Sequence, residues 1–138
     1  MKVLSEEKGF VLPFTALLIP IFIAMLGLMV DVGVASSNYF RLAHAVDSAA
    51  YAALDGYDRL VWEEDDRIEI DYHDAKAKAT YYLHANLADA TLTNFKIISG
   101  GRGVRVEAKV NSPVFFMKMF GFSDRTITSF AEAQLSEP

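Results

Sequence analysis

A chain of 138 residues has room for one folded domain of roughly 100 residues once its apolar N-terminal run is set aside, and a second domain is not expected. The net charge is -5; Lys2, Glu6, Glu7 and Lys8 cancel before the apolar run, so the acidic excess lies after it and the clustered cations that nucleic acid requires are missing. With no cysteine, disulfides, thiolate catalysis and thiolate metal sites are excluded together.

A short tail (residues 1–9) leads into Phe10 to Val30, FVLPFTALLIPIFIAMLGLMV, which carries no charged side chain. As a helix at about 1.5 Å per residue it spans about 31 Å, the thickness of a bilayer's hydrocarbon core. Pro13 falls in the first turn, and Pro20 lies mid-span where membrane helices tolerate it, with a mild kink expected near Ala16 to Pro20. A buried helix of a soluble protein would need far more chain to cover it. A cleavable secretory signal ending at Gly33-Val34-Ala35 has too long an apolar stretch and an ill-placed Asp31. The expected topology is single-pass, with a cytoplasmic N-terminus and the C-terminal domain outside.

Residues 31–62 read as an extramembrane extension of the same helix, because no turn signal precedes Asp55-Gly56. Ala35, Tyr39, Leu42, Val46, Ala49 and Ala53 recur in steps of threes and fours, and form a packing stripe. The alanines of HAVDSAAYAALDG let a neighbouring backbone approach closely. The stripe suits either another molecule's helix or this chain's own C-terminal domain.

An acidic linker follows (residues 63–71, EEDDRIEID), without the ligand spacing or glycine of a calcium loop. The remaining domain, residues 72–135, opens with a helix capped by Asp71, with Ala75, Ala79, Tyr82, Leu83, Asn86 and Leu87 on one face and an end near Asp89. Val104 to Val110 alternates apolar and charged residues as a strand does. With Phe95 and Ile97 across a glycine-rich turn it makes a hairpin, and Ile127 to Leu135 supplies a third strand. The fold class is α+β: a long N-terminal transmembrane helix running on outside the membrane, a second helix, and a small three-stranded antiparallel sheet.

Between the last two strands a short helix is expected from Ser112-Pro113 to Gly121. Phe115, Phe116, Met119, Phe120 and Phe122 overload it with apolar surface, which makes it either core under the sheet or a contact for a partner or the membrane. His73 and His84 are about 16 Å apart along the second helix, too far to share an ion, and His44 stands alone among alanines. No catalytic motif occurs, so no enzyme activity, cofactor, metal or small-molecule substrate is expected.

Lys8-Gly9 enters the span, Asp31-Val32-Gly33 closes it, and Arg41-Leu42-Ala43-His44-Ala45-Val46-Asp47-Ser48-Ala49-Ala50 follows. The order of these motifs resembles the TadE/TadG-like proteins of the Flp (Tad) pilus assembly system, and the last is similar to the family's R-x-L-Q-x-A-A-D-A-A-A segment. Pro113 to Phe122, with Gly121, followed by Ile127-Thr128 and Ala131-Glu132-Ala133, is similar to its aromatic ending. Five residues beyond Gly9, where processed members of the wider pilin class carry Glu, this chain has Phe14, in which it resembles the glutamate-lacking TadG-like branch, and processing after Gly9 is left open. The resemblance implies a bacterial inner-membrane protein with its domain periplasmic or extracellular, whose partners are itself or other pilus and envelope subunits. Its implied role is structural, as a pilin-like or assembly-platform subunit, with entry into a filament left open. A membrane-anchored adaptor for one soluble partner, or a secreted domain freed near Ala35, are the alternative readings.

Overall fold

The computed structural model describes residues 8–57 and 68–135, with side chains from residue 11 onward. Helix α1, Lys8–Ala53, is a single element of 46 residues, about 69 Å long, and runs through Pro13 and Pro20. Over Val11 to Val30 its large side chains, apart from the half-buried Leu18, are exposed on every side, as lipid-facing residues are. Thr15, a polar side chain within that run, satisfies its hydroxyl on the Val11 carbonyl at 2.8 Å.

The helix ends where the sequence places its turn. Leu54, Asp55 and Gly56 N–H groups bond the carbonyls three residues back, tightening the last turn. Helix α1 therefore ends at Ala53, and residues 58–67, with the last part of the 31–62 extension and most of the acidic linker, lie outside the described residues. Gly56 is sterically required, because a Cβ there would lie 2.5 Å from the Ala75 backbone nitrogen. The chain returns at Ile70, buried and bridged to Tyr57, and Asp71 donates its N–H to the Gly56 carbonyl at 2.8 Å.

Helix α2, Tyr72–Asn86, starts at the Asp71 cap, whose carboxylate accepts the Asp74 N–H at 2.7 Å. It ends three residues before Asp89, because the Leu87 N–H closes on the Leu83 carbonyl while Leu87 itself is extended. Strands β1 (Thr91–Ile98), β2 (Gly103–Ser112) and β3 (Arg125–Gln134) form an antiparallel sheet in the order β1-β2-β3. The β1–β2 turn takes positive φ at Ser99, Gly100 and Gly101, which explains its glycines.

Both helices pack on one face of the sheet. The alternation of β2 sends Val104, Val106, Ala108 and Val110 into the core. There they meet Leu42, Val46, Ala49 and Ala53 of α1 and Ala75, Ala79 and Leu83 of α2, all fully buried. Small side chains on both helices permit this close approach. On the opposite sheet face Arg105 bonds Glu107 and Glu132, each at 2.8 Å, and lies 4.2 Å from the Phe130 ring centroid.

Candidate functional site

The β2–β3 connection is the part of the domain that reaches back to the apolar half of α1. Ser112, the last residue of β2, is buried, and its Oγ accepts a hydrogen bond from Asn38 Nδ2 at 3.0 Å. From there the chain descends along α1 towards its N-terminus. Asp31, one residue beyond the apolar run and only 6% exposed, receives it. One carboxylate oxygen accepts the N–H groups of Phe115 (2.8 Å) and Phe116 (3.2 Å), and the other accepts that of Met117 (2.7 Å). Three donors on one anion are strong, charge-assisted bonds that compensate the burial of the carboxylate.

The expected short helix is only a 3-10 turn, Met117–Phe120, and Asp31 accepts the amides at its start, which have no partner within the turn itself. Gly121, at φ 84°, ends it in the left-handed conformation. A second carboxylate closes the loop: Asp124 accepts the Val114 N–H at 3.1 Å and pairs with Lys118 Nζ at 2.9 Å. The Lys118 ammonium, with help from that N–H, holds the Asp124 carboxyl below its ordinary pKa. Phe116 packs directly on Gly27, where an added Cβ would lie 2.8 Å from Phe116 Cβ.

Of the proposed packing stripe, Leu42, Val46, Ala49 and Ala53 lie in the chain's own core, Ala35 is half-buried and Tyr39 is exposed. Phe115, Phe116, Met119, Phe120 and Phe122 are brought together on the loop, none of them buried; Met119 is 82% exposed. Core filling under the sheet is therefore not their place. Among the motif residues, Gly9 lies within α1, Gly33 faces open space, and Arg41 and Asp47 are exposed on α1. Only Asp31 and Gly121 are joined in one construction. His84 lies 3.0 Å from the Ala90 carbonyl, and no cluster of metal-ligating side chains occurs among the described residues.

Asp31 was visible in the sequence as an acid closing an apolar run long enough to cross a membrane, a placement that calls for a polar partner. Its partners escaped because they are backbone amides, which leave no side-chain signature, in a segment 84 to 86 residues away.

No curated protein and no solved structure matches the chain. A family model, described as Flp pilus-assembly TadE/G-like, matches residues 9–56, from the second residue of α1 to the Asp55-Gly56 turn, and this stretch is similar to that family.

Proposed function

We propose that the protein is a structural subunit of a Flp/Tad-type pilus assembly apparatus, a single-pass membrane protein that works by packing rather than by catalysis. The observation that carries this reading is the coincidence of the TadE/G-like region with one helix that serves two ends: its first part is sheathed in exposed apolar side chains, and its second part is the spine of the folded domain. No hinge separates anchor from domain, so the position of the span fixes that of the domain.

The Asp31 clamp supports the same reading, since it ties the far end of the sheet to the helix at the membrane boundary. A subunit that hands on position needs such rigidity. In the favoured arrangement the N-terminus is cytoplasmic, the domain lies outside, and Phe14 in place of a glutamate makes the span a platform element of the TadG-like kind. The exposed side of α1, with Val32, Tyr39, Phe40 and Tyr51, is the surface left for neighbouring subunits.

The test is deletion of the chain in a cell that displays Flp pili. Loss of surface pili, restored by the full chain in trans, is the expected result; undiminished piliation would overturn the role. Mass measurement of the native N-terminus distinguishes the forms, since a start at Phe10 indicates pilin-like processing and a start at Ser36 a released domain.

A further inference from the structure

We infer that the Phe115–Phe122 loop is a second membrane-contacting element, laying its apolar side chains into the leaflet nearer the folded domain, beside the helix that crosses it. The inference rests on the reading of residues 10–30 as a membrane span, and it assigns that span's exit a lipid-bound collar.

Level is the first argument. The loop is fastened at Asp31, directly after the apolar run, and Phe116 packs on Gly27, about 6 Å further into the span at 1.5 Å per residue. A loop held there is at the depth where amphipathic segments rest among headgroups and upper acyl chains. Its side chains Phe115, Phe120 and Met119 are exposed at the level where α1 exposes Leu28, Val30 and Val32. The interface with lipid that α1 already makes is thereby extended sideways.

The loop's own polar groups are the second argument, and an independent one. Within residues 113–124 the only ionisable side chains are Lys118 and Asp124, and they are paired with each other. The N–H groups of Val114, Phe115, Phe116 and Met117 are taken by carboxylates, and those of Met119, Gly121 and Phe122 by carbonyls of the turn. A loop in water has no need of such accounting, whereas one facing lipid must satisfy its backbone internally. The Lys118 stem is long enough to keep its charge at the polar surface while its neighbours enter the apolar layer. Two attachments instead of one would fix the tilt and rotation of the domain on the membrane.

Because the chain has no cysteine, single-cysteine variants can carry a nitroxide in the full chain reconstituted into phosphatidylcholine–phosphatidylglycerol vesicles. Met119→Cys and Phe120→Cys report on the loop, Leu17→Cys on the span, and Thr128→Cys on the exposed sheet. Expected is greater accessibility to oxygen than to a water-soluble nickel chelate at Met119→Cys, Phe120→Cys and Leu17→Cys, and the reverse at Thr128→Cys. Lipid contact at Leu17→Cys with nickel-accessible loop labels overturns the loop inference and leaves the span intact. Loop labels shielded from both reagents place the loop against protein and overturn it too. A water-exposed Leu17→Cys overturns the span and the inference together.

Discussion

The carboxylate of Asp31 accepts the Met117 N–H at 2.7 Å although 86 residues separate the two in the chain. That bond and its companions to Phe115 and Phe116 fasten the β2–β3 loop to the helix at the end of its apolar run. Asp31→Ala should leave three amides without a partner while removing nothing from the core around Leu42 and Val46. Hydrogen exchange at residues 115–117 should then accelerate by roughly tenfold or more, the factor implied by losing a bond to a charged acceptor, with exchange in β2 unchanged. Uniform acceleration across β2 would show that Asp31 holds up the whole domain instead of the loop.

Gly27 is small for the sake of Phe116. Three Phe116 atoms, Cβ among them, would stand within 2.9 Å of a Cβ at this position, so the ring base and its backbone must shift. Gly27→Leu should destabilise the folded chain by about 1–3 kcal/mol, the usual cost of overpacking, read as a lower thermal unfolding midpoint in nanodiscs. Phe116→Ala in the same chain should return part of the loss, because it removes the struck ring atoms while the Cβ contact stays. Gly33→Ala, at a glycine facing open space, should be neutral or gain up to about 1 kcal/mol.

How much of this was legible depends on where the partner of each residue lies. Val104 to Val110 announced a strand because every second residue faces the core, and Asp71 announced a cap because its partner, Asp74, is three residues on. Those are local signals, and the α+β order of elements follows from them. Of the Ala35 to Ala53 stripe the residues from Leu42 onward lie in the core, but the spacing did not name their occupant: a stripe records that something small-bodied approaches, and here that includes α2 of the same chain. The Phe115 to Phe122 segment was legible as too apolar for its surroundings, yet its length as a helix was overestimated. Helix signals at Ser112-Pro113 and Gly121 say nothing of a distant carboxylate that captures the first amides.

Ala49 and Ala53 separate the two possible occupants of that stripe. Both are fully buried within the domain, so Ala49→Leu should cost about 1–3 kcal/mol of domain stability in the protein on its own, before any partner is present. Tyr51→Ser, one helical face away and 69% exposed, should stay within about 0.5 kcal/mol. Thermal unfolding of the two variants checks this directly. Equal midpoints would mean that the domain does not close over Ala49. A defect of Tyr51→Ser in pilus formation, without a defect in stability, would locate a contact between subunits on the exposed side of α1.

The last expected outcome concerns pH. Asp124 is held below its ordinary pKa by the Lys118 ammonium and the Val114 N–H. A carboxyl depressed in the folded state contributes stability that is complete above its unfolded value of about 4, and that contribution is lost as pH falls through the lower folded value. The loop should therefore loosen on acidification, and it should not do so at neutral pH. Followed by NMR in micelles, the Val114 amide shift should titrate with a midpoint below about 4, and Asp124→Asn should abolish that transition. Lys118→Met should move the midpoint upward, towards the ordinary Asp value, because the ammonium that chiefly depresses it is gone. A Val114 titration with its midpoint at or above the ordinary value would mean that the Lys118–Asp124 pair, 2.9 Å apart, is not maintained in solution and that Asp31 alone fastens the loop.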